Sequence, residues 1–450
     1  MGKEHVMEAR EFTADDVVFS INRFLDSQSA QWGARRTELG GWVDSITATD
    51  RYTVVIETSR FSFDWIRWVG GTGECLVYAP EVVEAGVDDW NNLVGTGPFM
   101  FDEYVVGSHY KFKKNPDYWR TTPIAGVEYK TPFVDYVVLP IIKDISTRVS
   151  ALRTGKLDYY PIVDIKQAES LDQTTPELLK FTYLDTWQRL IALRCDLEPF
   201  SNKTVRQAMM IALDRPAINR AAFYEGETYP WLIETRSPDH IPLAEQPPSA
   251  QVLYEYNPAL AKQMLAEAGY PDGFKVTAVV SSLLTDSIEI LEMTEAYWEA
   301  IGVELKIEVL EPVTYTARTS FPFPDDYQVL IANCGNEGFF HAVEKNWWGQ
   351  QPDGWGWNYA RYNNLELSPL FDEIMTTPDL DKRQIMWREA AFLVLDDVPY
   401  ISVGAPNVVN YWWPWVKNYY GETYSGRGGT GYIMAVIWID QNLKAEMGYK

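Results

Sequence analysis

Cysteine is scarce in this chain: Cys75, Cys195 and Cys334 are its only thiols in 450 residues, far apart and without a CxxC spacing. That pattern excludes a disulfide framework and a thiolate zinc site. Histidine is equally thin. His5, His109, His240 and His341 never stand at the spacing that puts two imidazoles on one helical face, so no metal site is expected. Positive charge is also short, with 39 Lys and Arg against 63 Asp and Glu, a formal net charge of -24. A surface of that sign repels phosphate backbones and anionic lipid before contact forms, so nucleic acid is not an expected partner. No stretch approaches the roughly 20 apolar residues of a membrane helix, and the opening MGKEHVMEAREF lacks the apolar centre of an export signal.

What is present suits a folded chain. Hydrophobic residues make up 46% and charged residues 23%, near the average for folded domains. At 450 residues the chain exceeds what one core usually organises, so two or more lobes are expected. Aromatic residues reach 14% and crowd into one stretch, NWWGQQPDGWGW, where Trp347, Trp348, Trp355 and Trp357 stand among glycines and amides that cannot form one regular apolar face. Further rings cluster at Trp412, Trp413 and Trp415 and at Tyr419 and Tyr420, a content that suits a sugar as well as a peptide.

Local signals define the elements. Thr13 and Asp16 form a capping-box pattern ahead of Val17, Ile21 and Phe24, which predicts a helix. RYTVVIETS and FVDYVVLPII read as strands, and GTGPFMFDEYVVGSHYKFKKN alternates on either side of Val106-Gly107-Ser108, which predicts a hairpin. From Lys203 two helices meet at a corner capped by Asp214, with Pro216 in the first turn of the second. A proline-rich passage, SPDHIPLAEQPPS, marks the expected lobe crossing. Asn257 caps the next helix. FKVTAVVS, DSIEILEMTEAYWEAIG and VELKIEVL then follow in strand, helix, strand order, which predicts a parallel βαβ unit. DYQVLIANC adds a strand and DKRQIMWREAAFLVLDD a late helix.

Five of these segments, in order, resemble the extracellular solute-binding proteins of family 5, the dipeptide, oligopeptide and nickel class that feeds ABC importers. They are FTADDVVFSINR, GTGPFMFDEYVVGSHYKFKKNPDYW, ALRTGKLDYY, VRQAMMIALDRPAI and YNPALAKQMLAEAGYPDGF. The resemblance implies an α/β fold of two lobes, the type II periplasmic-binding-protein class, with an additional α+β subdomain in the first lobe. It divides the chain into residues 1–137 as that subdomain, 138–250 with 405–450 as the first-lobe core, and 251–404 as the second lobe. It also implies capture of a peptide, oligosaccharide or similar small solute without catalysis or cofactor, by a monomer that delivers it to an ABC permease. The place implied is periplasmic or extracellular, with membrane association through a leader. Family members carry that leader and several tens of residues before the first capped helix, whereas Met1 stands a dozen residues ahead of Thr13, so the resemblance implies an N-terminally truncated chain.

The family's cleft pattern, close to GWGADYPDP, falls here on Asn333, Cys334, Gly335, Asn336 and Glu337. The carboxylate that grips an amine in peptide-binding members thus appears as Glu337, with the neighbouring tryptophan replaced by Cys334. Asn333, Asn336 and Glu337 are candidate ligand contacts, as are one or two of Trp347, Trp348, Trp355 and Trp357, the rest holding their loop. In YLDTWQRLIALRCD, Trp187 and Arg189 share one strand face and Gln188 takes the other, so Trp187 and Arg189 are further candidates. Arg361 is a candidate for a ligand carboxylate. The rival reading is a glycoside-active enzyme, for which Glu337 and Asp353 are the only carboxylate pair to nominate.

Overall fold

The computed structural model describes residues 6–26, 42–62, 76–185, 187–223, 226, 240–319, 326–335, 358–422 and 429–449, with the backbone alone at 164 and 333–335. Two compact units emerge. The first comprises Met1–Ser59, Trp65–Tyr183 and Val408–Lys450, and the second Arg60–Asp64 and Leu184–Asn407.

The first unit opens with the helix Ala14–Leu25, where the Thr13 amide donates to Asp16 Oδ2 at 2.9 Å, as the capping pattern requires. Strands β1 (Val43–Asp50) and β2 (Thr53–Thr58) form one antiparallel pair. The predicted hairpin is present as β3 (Phe99–Val105) and β4 (His109–Lys114), turned at Gly107 with φ 72°, a backbone region that glycine enters without penalty. Strands β5 (Thr121–Ile124) and β6 (Val127–Lys130) pair with each other, while β7 (Tyr136–Pro140) joins β4 to complete a β3-β4-β7 sheet. Strands β8 (Tyr159–Asp164) and β9 (Leu179–Leu184) then lead out of the unit.

The second unit is built on a mixed sheet whose strands are β10 (Trp187–Leu193), β11 (Phe274–Ser281), β12 (Val303–Leu310), β13 (Val329–Gly335) and β14 (Tyr400–Gly404), in the order β12-β11-β13-β10-β14. The βαβ expectation is met: β11 and β12 are parallel from Phe274↔Val303 to Ser281↔Leu310, joined by the helix Thr285–Glu299. Strand β13 is parallel to β11, and β10 is antiparallel to β13 and β14. Strand alternation splits the core in two. Ile191, Leu193, Ala278, Val280, Leu305 and Ile331 face one way, onto the helical corner and Thr285–Glu299; Leu190, Ala192, Val279, Leu330 and Ala332 face the other, onto the late helices Leu367–Thr376 and Leu380–Asp397. At the foot of the sheet Gly273 (φ 75°) runs against Gly302, so close that a Cβ on Gly273 would lie 1.8 Å from the Gly302 carbonyl oxygen.

The chain returns to the first unit through β15 (Asn407–Trp412), which takes the centre of a β8-β15-β9 sheet; β16 (Val416–Lys417) and β17 (Trp438–Ile439) pair beyond it. Here lies that unit's principal core. Trp413 and Trp415 stack at 4.4 Å and 4°, their indole N–H groups donate to Leu152 O and Asp158 Oδ1, and Tyr449 packs on both rings. The cluster at Trp412, Trp413 and Trp415 is therefore buried structure and not a solute wall. Trp119 is exposed beside Arg120, whereas its neighbour Tyr118 is buried.

The chain passes between units at 59–60, 64–65, 183–184 and 407–408, and the described part of the proline-rich passage belongs to the second unit. Residues 184–250, grouped with 405–450 by the sequence reading, sit in the second unit because β10 pairs with β13 and β14, long-range partners that no local pattern announces.

Candidate functional site

Strand β10 reads WQRLIAL, and its alternation fixes what each side chain can reach. Gln188 is buried, its Oε1 accepting from Ser402 Oγ at 2.8 Å. Trp187 and Arg189 lie on the opposite face, in line with Ile191 and Leu193 of the core beneath the helix Thr285–Glu299. The antiparallel register then sets Trp187 opposite Gly335, Gln188 opposite Cys334 and Arg189 opposite Asn333. Two stretches nominated separately from the sequence thus meet at one place, the carboxyl end of β13.

That place has a topological meaning. From β11 the chain crosses to β12 through a helix on one face of the sheet, and from β12 it crosses back over β11 to β13. The carboxyl ends of β11 and β13 therefore flank a point where the connections part in opposite directions, the location where open α/β sheets take their ligands.

Arg189 is fully committed there. Its Nε donates to Asp286 Oδ2 at 2.8 Å, its Nη2 lies 2.5 Å from the same oxygen, and its Nη1 donates to the Trp187 carbonyl at 2.8 Å. Asp286 is held in turn, Oδ1 accepting from the Ser287 amide at 2.7 Å in the first turn of Thr285–Glu299, where a carboxylate is favoured by the helix dipole. With both side chains largely buried, the pair neutralises itself. On the other face, the Tyr315 hydroxyl donates to the Ile331 carbonyl at 3.3 Å and ties the helix Pro312–Thr319 to β13. Burial raises this phenol well above the ordinary tyrosine range, so it remains a donor at every physiological pH.

Arg361 is not brought to this edge. It has φ 45° and its guanidinium lies 3.8 Å from Asp196, which also accepts from Arg194. Those residues follow Leu193, which pairs with Val329 at the amino end of β13. A seven-residue strand separates them from Trp187, about 20 Å at the usual rise. Glu337, Asn336, Asp353, Trp347, Trp348, Trp355 and Trp357 lie outside the described residues, and of Asn333 only the backbone position is described. Asp286 was missed in the sequence; an acid in the first turn of a helix directly after a strand was the available signal. Among the described residues no group of three or more His, Cys, Asp or Glu is placed to hold a metal, and no helix is long and apolar enough to cross a membrane.

Comparison with known proteins agrees with this architecture. Heme-binding protein A of Haemophilus influenzae is 26% identical over 425 residues, covering 88% of this chain and 72% of the relative. Di/tripeptide-binding protein 1 of Pseudomonas aeruginosa is 24% identical over 445 residues, covering 90% and 75%. The structure of the ABC transporter-associated periplasmic binding protein DppA from Helicobacter pylori, in complex with the peptide STSA, superposes with a TM-score of 0.77 at 22% identity, covering 96% of this chain and 83% of that one. The fold is thus the two-lobed type II periplasmic-binding class, and each of these relatives is named as a binding protein. The profile described as bacterial extracellular solute-binding proteins, family 5 Middle, matches residues 9–363. The chain belongs to the bacterial extracellular solute-binding proteins of family 5.

Proposed function

We propose that this protein captures a short peptide or similar small solute at the carboxyl edge of its central sheet, in a cleft between the two units, and delivers it to a membrane permease of an ABC importer. The observation that carries the reading is the β10–β13 register, in which Trp187 and Arg189 stand opposite 333–335 and the segment bearing Glu337 and the four tryptophans follows in the chain. In this reading Glu337 meets a ligand amine through a charge-assisted bond and one or two indoles line the solute. Capture requires no chemistry. Ligand contacts that span both units favour a closed form over an open one, and the permease reads the difference. The protein works as a monomer outside the cytoplasm. Peptide is favoured because the relatives include a di/tripeptide-binding protein and a peptide complex. The ring cluster at Trp412, Trp413 and Trp415, which suited a sugar as well as a peptide, is core.

Native mass spectrometry of the protein isolated without denaturation tests the proposal. A non-covalent mass should accompany the protein and appear chemically unchanged when the protein is unfolded. A released species cleaved relative to the solute supplied would contradict capture without chemistry.

A further inference from the structure

Trp187 stands apart from the other exposed indoles. Among the described residues three tryptophans are exposed, Trp90, Trp119 and Trp187. Trp90 lies against Phe101, Tyr104 and Tyr110 at 5.6–5.7 Å, and Trp119 carries the Arg120 guanidinium at 4.9 Å. Trp187, 45% exposed, has no described ring or cation against its indole; the Arg189 guanidinium lies over Phe223 instead, at 5.8 Å. Its backbone is nevertheless pinned on both sides. The Trp187 amide donates to Asp185 Oδ1 at 3.2 Å, and its carbonyl accepts from Arg189 Nη1 at 2.8 Å, a guanidinium itself tied to Asp286. Opposite Trp187 on β13 is Gly335, and opposite Arg189 on β14 is Gly404, so neither neighbouring strand sets a side chain beside the ring at those positions. The β10–β14 ladder also shifts register here, the partner moving from Gly404 to Ser402 between Arg189 and Leu190, an irregularity of the kind that re-aims a side chain.

Resting on the capture reading above, we infer that Trp187 is a stacking platform that selects solutes carrying an aromatic side chain. A pinned, half-exposed indole offers a flat face already in place, so a ring laid on it gains the stacking interaction without ordering the platform. An aliphatic side chain can bury area on the same face, but it forgoes the ring-to-ring attraction, which is about two- to tenfold in affinity. In the capture reading the solute's amine belongs to Glu337, and Trp187 reads a side chain.

Isothermal titration of the whole protein with trityrosine and trileucine tests this. Trityrosine should bind about two- to tenfold more tightly, although its hydroxyls make it the costlier of the two to remove from water. Trp187→Leu, at a half-exposed position, should erase that difference while changing trileucine affinity by less than about twofold and leaving the melting temperature unchanged. Trp187→Phe keeps a ring and should keep a preference for trityrosine. Equal or tighter binding of trileucine, a tyrosine preference that survives Trp187→Leu, or loss of both peptides alike in that variant overturns the platform and leaves capture standing. The platform is likewise overturned, and capture stands, if neither peptide binds while another solute accompanies the purified protein. If nothing binds and nothing accompanies the protein, capture falls as well.

Discussion

Arg189 on β10 and Asp286 at the start of the helix Thr285–Glu299 form an ion pair with Nη2 and Oδ2 2.5 Å apart, across 97 residues of sequence. The pair ties the strand by which the chain enters the second unit to the helix that follows β11. Breaking one side leaves the other charge largely buried and alone. Asp286→Ala should therefore cost about 2–3 kcal/mol, and the double change Arg189→Met with Asp286→Ala should cost less than Asp286→Ala alone. Urea unfolding of the two single variants and the double variant measures the coupling; strictly additive losses would contradict it.

Trp413 is fully buried, stacks on Trp415 and donates its indole N–H to the Leu152 carbonyl at 2.8 Å. Trp413→Ala should lower the stability of the first unit by about 3–5 kcal/mol, the usual cost of emptying a site of this size. Chemical denaturation followed by circular dichroism checks it, and a loss below 1 kcal/mol would place the ring outside the core.

Gly273 holds φ 75° with the Gly302 carbonyl in its path. Substitution to alanine adds both a left-handed penalty and a clash with backbone that cannot move aside, at a cost of about 3 kcal/mol. Gly107 also has φ 72°, but nothing lies within 4 Å of its Cβ position. Gly107→Ala should therefore cost only about 1 kcal/mol. Melting temperatures of the two variants should rank in that order.

The Arg10 guanidinium bonded to Asp16 holds its carboxyl below the ordinary aspartate range, with the Thr13 amide adding to the effect against the opposing cost of burial. A carboxyl depressed in the folded state contributes stability that is present above the unfolded value of about 3.9 and is lost as pH falls through the folded value. Asp16→Asn should accordingly melt below the parent at pH 6, and the gap should close below about pH 4. A gap that stays constant down to pH 2.5 would remove Asp16 from the acid response.

Much of the fold is legible in the sequence. Asp16, Asp214 and Asn257 mark helix starts through local hydrogen bonds, so their sequence signals are complete within four residues. The βαβ unit was equally local in pattern. Less legible were features set by distant partners. Alternation assigned Trp187 and Arg189 to one face, but nothing near Arg189 announces Asp286, so a committed ion pair read as an open ligand contact. Trp412, Trp413 and Trp415 form the same kind of ring cluster as a solute wall, and only their packing around Tyr449 and Leu152 sets them inside. The place of Arg361 at the far end of β13 follows from the Cys195 amide donating to the Ala360 carbonyl, a pairing that composition cannot register.

Hydrogen–deuterium exchange of the protein with and without the solute that accompanies it tests the central claim most directly. Solute should slow exchange at the carboxyl edge of the second unit's sheet, in amides 187–189, 282–287 and 333–335, with little change at the opposite end around 194–196 and 358–362. Saturable binding that leaves the first three segments unprotected would contradict a solute site at that edge.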